Sequence, residues 1–246
     1  MSLPVHLVDS LAGAAPGSVV EVSGDEAHHA VAVRRLRAGE QVVLTDGLGT
    51  SATGAVDSTG KRVFAVRVAS VEQQERPEPA ITVVQALPKG DRGELAVEVL
   101  TEVGVDRIVP WAASRSVAVW KGERATKSHA RWQATAREAA KQSRRSWLPT
   151  VTPLASTGDL AGLVAEADLA VVLHEDATEA LSAVDVPASG RIVVVVGPEG
   201  GIAPDELVLL AAAGARSVRL GAEVLRTSTA GVVAVAALLA RTQRWS

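Results

Sequence analysis

Five short apolar runs constrain this chain most. They lie at residues 81–87 (ITVVQAL), 107–111 (RIVPW), 169–173 (LAVVL), 192–196 (IVVVV) and 217–220 (SVRL). Stretches with helical spacing, at about residues 90–104, 126–143, 204–213 and 229–243, alternate with them. A half-exposed strand would alternate polar and apolar residues. Runs as uniformly apolar as IVVVV are instead expected where helices cover both faces of a sheet, which predicts a parallel α/β domain.

The first seventy or so residues read differently. Residues 18–23 (SVVEVS) alternate weakly, 41–45 (QVVLT) run into the hairpin signal Asp46-Gly47, and 61–69 (KRVFAVRVA) alternate basic and apolar residues. Between them, residues 25–36 (DEAHHAVAVRRL) have helical spacing, with Asp25 as an N-cap candidate. This pattern predicts a small β-barrel with one short helix. Residues 73–79 (QQERPEP) are polar with two prolines and read as the linker. The expected division is therefore 1–74 and 80–246.

Composition removes several chemistries. The chain has no cysteine, which excludes disulfides, thiolate metal sites and a cysteine nucleophile. His6, His28, His29, His129 and His174 show no metal-ligand spacing, so no metal is expected. The longest apolar stretch, residues 230–240, is too short to span a membrane. The opening MSLPV has no basic segment leading into an apolar one, so a cytoplasmic location is expected.

The net charge of −3 argues against a nucleic-acid partner only until it is split along the chain. Residues 121–145 carry +6, which leaves −9 for the rest. This segment is either a solvated helix face or a phosphate-binding stripe. Trp120, Trp132 and Trp147 within or beside it are suited to core packing or to stacking on bases. A second basic cluster lies at Arg34, Arg35 and Arg37.

Three strand ends carry polar motifs. Residues 192–204 (IVVVVGPEGGIAP) run from a buried strand into Gly197, Pro198, Glu199, Gly200 and Gly201, and a helix opens near Pro204. Ligands in α/β sheets bind at such carboxyl ends, and glycines let backbone groups approach them. The loop is neither a Walker A nor a G-x-G-x-x-G motif. Its central Glu199 disfavours a phosphate and suits an amine, a sulfonium or ribose hydroxyls. A plain strand–helix turn is the alternative. Residues 217–230 (SVRLGAEVLRTSTA) bring Arg226 and a set of helix-capping hydroxyls to a second strand end. Arg226 stands among apolar residues, so it is expected to need an acidic partner or an anionic ligand. Residues 87–92 (LPKGDR) place Lys89 and Arg92 at a third, either as a surface turn or as RNA contacts.

Taken together, LPKGDRGEL (87–95), TEVGVDRIVPWAASRSV (101–117), RWQATAREAAKQSRR (131–145), VVGPEGGIAPDEL (195–207) and LGAEVLRTSTA (220–230) resemble the RsmE family. These are bacterial 16S ribosomal RNA uracil-N3 methyltransferases of the SPOUT superfamily. Residues 25–47 are similar to that family's PUA-like domain. The resemblance implies a SPOUT-type α/β domain with a C-terminal trefoil knot over 80–246, preceded by a PUA-like β-barrel RNA-binding domain over 1–74. It implies a homodimer acting on 16S rRNA or the small ribosomal subunit. It also implies S-adenosylmethionine as cofactor, bound by Leu173, His174, Gly197, Pro198, Glu199, Gly200, Gly201, Leu220, Gly221, Val224, Leu225 and Arg226.

The expected chemistry is attack by a uridine N3 on the cofactor methyl. Arg226 stabilises the developing ring charge, Glu199 accepts the proton or binds cofactor, and Arg144 is a further catalytic candidate. Arg34, Arg35, Arg37, Lys89, Arg92, Lys141, Arg144 and Arg145 are the expected RNA contacts. Ser228 stands where the family usually has Glu. Alternatives are a SPOUT enzyme acting on a ribose hydroxyl or a tRNA base, and a non-catalytic RNA-binding protein that keeps the fold.

Overall fold

The computed structural model describes residues 3–245. Met1, Ser2 and Ser246, where the expected domain bounds begin and end, lie outside the described residues. The chain divides into two compact units. One holds the chain up to Arg76 together with Lys141–Leu148, and the other holds Pro77–Ala140 and the chain from Pro149 onward.

The first unit is a five-stranded sheet of β1 (Val5–Leu7), β2 (Val19–Ser23), β3 (Gln41–Thr45), β4 (Thr50–Thr59) and β5 (Val63–Gln73). Its order is β1-β3-β4-β5-β2, antiparallel except for the β1–β3 pair. Pairing leaves β1 and β2 at the two ends, so it does not close the sheet into the expected barrel. Instead α1 (Gly24–His28) and the segment after it cover the core. Ala27, Ala30 and Leu36 are buried with Leu44, Phe64 and Val66.

The expected helix over residues 25–36 is shorter. It widens into a π-helical turn at His29–Val33 and stops at Arg35, whose left-handed backbone (φ 56°) turns Leu36 into the core. Asp25 does not cap it. The N-cap is Ser23, with no side-chain hydrogen bond, and Asp25 pairs with Arg62 at 2.6 Å. The Asp46-Gly47 signal does mark a hairpin: Asp46 Oδ1 accepts the N–H groups of Leu48 (2.8 Å) and Thr50 (3.1 Å), and β3 and β4 pair antiparallel.

Segment Lys141–Leu148, expected in the larger domain, is held in the first unit by its hydrogen bonds. Leu148 N–H donates to Gly47 O, and Gly49 N–H donates to Ser146 O. The Trp147 indole N–H donates to the carbonyls of Gln74 and Glu75, and the Arg76 guanidinium lies 4.9 Å over its ring. Trp147 is thus a packing residue.

The second unit holds β6 (Ala80–Ala86), α2 (Arg92–Val103), β7 (Arg107–Trp111), α3 (Gly122–Gln142), β8 (Thr150–Val151), α4 (Thr157–Ala165), β9 (Leu169–Leu173), β10 (Glu179–Ala180), β11 (Arg191–Val196), α5 (Pro204–Ala212), β12 (Arg216–Arg219) and α6 (Thr227–Leu239). The last residues of α3 count with the first unit. All seven strands are parallel, in the order β10-β12-β9-β11-β6-β7-β8.

The uniformly apolar strands are explained by two cores. Ile192, Val194 and Val196 of β11 join a cluster with Leu100 of α2, Trp132 of α3 and Leu238 of α6. Val193 and Val195 point the other way, to Leu160 of α4 and Leu210 of α5. Side chains alternate across a strand, so a strand covered on both faces must be apolar at every position. Burying each such Val, Leu or Ile contributes about 1.5–3 kcal/mol. Trp132 is buried and Trp120 packs edge-to-face against it at 5.0 Å, so both are committed to packing. Helix ends follow the sequence. Pro204 opens α5, and Gly104, with φ 108°, ends α2.

Candidate active site

Strands β12, β9 and β11 are neighbours, and their carboxyl ends open into one cleft of about 590 Å³ in the second unit. Three loops form it: residues 173–176 after β9, 196–202 after β11 and 219–227 after β12. All twelve residues expected to hold a cofactor, Leu173, His174, Gly197, Pro198, Glu199, Gly200, Gly201, Leu220, Gly221, Val224, Leu225 and Arg226, line this cleft. Arg92, Arg115 and Arg219 line it as well.

The glycine loop is fixed from below. Thr227 Oγ1 donates to Gly197 O at 2.5 Å. Gln85, fully buried at the end of β6, donates from Nε2 to Ala86 O (3.1 Å) and to the carbonyl and hydroxyl oxygens of Thr227 (both 3.3 Å). These bonds tie the loop to β6 and to the start of α6. Two glycines ease the path of the loop itself. Gly201 has φ 73° and donates its N–H to Pro198 O, closing the turn. At Gly200 a Cβ would lie 3.2 Å from Arg115 O, closer than is comfortable.

Thr227 therefore does not cap α6. The N-cap is Arg226, and no side-chain hydrogen bond caps the helix. Ser228 is buried in its first turn. Arg226 itself is exposed on the cleft, and among the described residues no salt bridge holds it. The desolvation argument for an acidic partner does not apply to it. An open cation facing a cleft remains available to an anionic group.

Glu199 sits across the mouth. Its Oε1 accepts Lys89 N–H at 3.2 Å and lies 3.6 Å from Arg92 Nη1. Lys89 and Arg92, expected as RNA contacts, are thus connected to the cleft through Glu199, and the Lys89 side chain is exposed.

The other expected RNA contacts belong to the first unit. Arg34, Arg35 and Arg37 are exposed, Arg144 is exposed with φ 56°, and Arg145 is half-buried. Arg144 does not line the cleft. Lys141, expected to contact RNA, is instead turned into the unit. Its ammonium is buried 2.8 Å from Glu26 Oε2, and Glu26 Oε1 lies 3.2 Å from His6 Nδ1. Burial raises the Glu26 pKa, but the hydrogen bonds and charges of His6 and Lys141 outweigh this and bring it to about 2. Lys141 is spent inside the unit and is unavailable to RNA.

Two residues escaped the sequence reading. Arg115 follows β7 and donates from Nη1 to Gly200 O at 3.3 Å. Glu206 of α5 is buried and accepts four hydrogen bonds, from Ser114 N–H (2.9 Å), Ser114 Oγ (3.0 Å), Thr157 Oγ1 (2.8 Å) and Ala203 N–H (3.1 Å). Burial pushes its pKa up, and these donors more than reverse the effect and leave it below the ordinary carboxylate value. An acid in the first turn of a helix looks like ordinary dipole compensation, so nothing local marks it. The position of Ser114 and Arg115 just past the run 107–111 was the one available signal.

Among the described residues, no helix is long and apolar enough to cross a membrane, and no group of three or more His, Asp or Glu forms a metal site.

Residues 74–239 match the family model of an RNA methyltransferase domain, and residues 22–68 match that of an RNA methyltransferase PUA domain. A relative from Mycobacterium tuberculosis named ribosomal RNA small subunit methyltransferase E is 48% identical, over 93% of this chain and 89% of its own length. One of the same name from Bacillus subtilis is 31% identical over 90% of each. A crystal structure of the Neisseria gonorrhoeae ribosomal RNA small subunit methyltransferase E bound to S-adenosylmethionine superposes with a TM-score of 0.87. It is 27% identical and covers 98% of each chain. A Legionella pneumophila methyltransferase in complex with the same cofactor gives a TM-score of 0.89 at 26% identity, over 98% of this chain and 99% of that one.

Proposed function

This chain belongs to the ribosomal RNA small subunit methyltransferase E family, and from that premise we propose that it methylates N3 of a uridine in 16S rRNA, with S-adenosylmethionine held in the cleft at the ends of β9, β11 and β12. It is a methyltransferase. The observation that carries the reading is the convergence of three separate loops, far apart in sequence, on one cleft at adjacent strand ends. Its volume lies in the range of cofactor sites, and its lining sets the carboxylates of Glu175, Asp176, Glu199 and Glu223 against four arginines, with no lysine. Those walls fit a zwitterionic nucleoside better than a polyphosphate.

S-adenosylmethionine supplies an electrophilic methyl group when bound. The protein's own part is to place the base in line with it, remove the N3 proton and stabilise the charge left on the ring. Arg226, exposed on the cleft, is the group for the uracil oxygens, where the negative charge develops. Among the described residues no hydrogen bond reaches Glu199 Oε2, since Lys89 N–H and Arg92 both engage Oε1. Glu199 Oε2 is therefore our acceptor for the N3 proton. The base has to leave its stack to reach the cleft. Arg34, Arg35, Arg37 and Arg144 are the cations we assign to the RNA backbone, and Arg145 extends them.

We place a trefoil knot at this cleft. In support, β11 inserts between β6 and β9, and α6 returns from β12 to pack on β6, β11 and α2. We also propose a homodimer. Its support is the exposure of Val224 and Leu225 on the cleft and of Val233 on α6. A cytoplasmic location follows from an rRNA substrate.

The test is transfer of labelled methyl to small ribosomal subunits lacking the mark, and to naked 16S rRNA, followed by nucleoside analysis. The label is expected in 3-methyluridine. Label in a 2′-O-methylated nucleoside, or in tRNA alone, would replace this reading with another RNA target. No transfer with no cofactor binding would favour a binding protein.

A further inference from the structure

Glu206 does not touch the cleft, yet it grips what shapes it. Its four hydrogen bonds come from three residues on three elements: the loop after β7 (Ser114), the first residue of α4 (Thr157) and the start of α5 (Ala203). Ser114 is held through both its backbone and its hydroxyl. The next residue, Arg115, donates to Gly200 O, and a Cβ placed on Gly200 would lie 3.2 Å from the Arg115 carbonyl oxygen. Ala203 follows the glycine loop directly. One carboxylate therefore fixes the far end of that loop and the arginine that presses on its middle.

We propose that Glu206 is a positioning residue for cofactor binding: through Ser114 and Ala203 it holds Arg115 against Gly200 and sets the wall of the cleft. The inference rests on the reading of that cleft as the S-adenosylmethionine site.

The chemistry demands an ionised carboxylate. Oε1 receives Ser114 N–H and the Thr157 hydroxyl, while Oε2 receives Ala203 N–H and the Ser114 hydroxyl. Each oxygen thus faces one backbone N–H, which can only donate. A glutamine would have to set its amide N–H against one of those two, whichever way it turned. The isosteric change should therefore loosen one end of the clasp: Ser114 and with it Arg115, or Ala203 and with it the loop.

The test compares wild type, Glu206→Gln, Arg115→Ala and the double variant. Cofactor affinity is read by calorimetry, KM and kcat by methyl transfer, and folding by thermal melting. Glu206→Gln is expected to raise the cofactor KM and Kd at least tenfold, with kcat at saturating cofactor within threefold of wild type. Arg115→Ala is expected to shift KM the same way. The double variant should be no worse than the weaker-binding single, because both act through one contact. A cofactor Kd within twofold of wild type in folded Glu206→Gln overturns the proposal, as does additivity of the two changes. If Glu206→Gln does not fold, Ser114→Ala removes a single bond of the clasp, and an unchanged cofactor Kd there overturns it equally. Absence of cofactor binding in wild type would instead break the reading of the cleft, and so the two failures are distinguishable.

Discussion

The cleft at the ends of β9, β11 and β12 and the basic segment 121–145 both carry arginines, but only part of that charge is free in either. On the cleft, Arg226 and Arg219 are exposed and, among the described residues, no ion pair involves Arg226. Along the basic segment, Lys127 pairs with Glu123 (3.8 Å), Arg131 with Glu94 (3.1 Å) and Lys141 with Glu26 (2.8 Å). Glu123 is already in the sum of +6, but Glu94 and Glu26 lie outside the segment, so their pairs with Arg131 and Lys141 make +6 overstate what it offers to a polyanion. A cation already neutralised by a carboxylate releases few counterions from RNA and adds little affinity. Cations here therefore serve two purposes in both regions: Arg226 is open to the cleft, while Arg92 and Arg115 beside it, like Arg131 and Lys141 of the segment, are engaged by groups of the protein itself.

The largest effect expected from this contrast is on catalysis. Arg226→Ala should lower methyl transfer by about 100-fold or more in an initial-rate assay, with the melting temperature unchanged because the side chain is exposed. Transfer at wild-type rates would remove Arg226 from the mechanism. Next comes Lys141→Met, which leaves the half-buried Glu26 with His6 as its remaining partner. It should cost about 1–3 kcal/mol in urea unfolding, while RNA affinity of the folded protein stays within twofold. A large fall in RNA affinity with no fall in stability would reverse the two assignments.

The same pair sets an acid limit. Glu26 titrates at about 2 in the folded chain against an ordinary 4.5. A depressed folded pKa gives stability that is complete above about pH 4.5 and is lost as pH falls toward 2, up to about 3 kcal/mol. Lys141→Met should flatten that part of the stability curve. Smaller still, each of Arg34→Ala and Arg37→Ala should lower the salt dependence of RNA binding by about one unit of log–log slope. Smallest is Lys127→Ala, whose exposed pair should change stability by less than about 0.5 kcal/mol.

The loops of the cleft are legible because strand ends and glycines announce themselves locally. IVVVV followed by GPEGG fixes both a doubly covered strand and the turn at its carboxyl end. Several elements gave no such signal. Strands β8 and β10 are two residues each, β4 (TSATGAVDST) is polar with a glycine, and α4 (TGDLAGLVA) carries two glycines in nine residues. Partners distant in sequence were equally hidden. Glu206 lies 92 residues from Ser114, Arg115 lies 85 from Gly200, and Lys141 lies 115 from Glu26. Net charge is a local sum, whereas pairing is settled by the fold, so Lys141 read as an RNA contact and proved to be a buried ion-pair partner.

If three loops of the second unit form one cofactor site, hydrogen exchange of the backbone amides, with and without saturating S-adenosylmethionine, will report all three at once. Protection is expected together in residues 173–176, 197–202 and 220–227, with the first unit unchanged. Protection confined to any one of these segments, or appearing instead in the first unit, would contradict it.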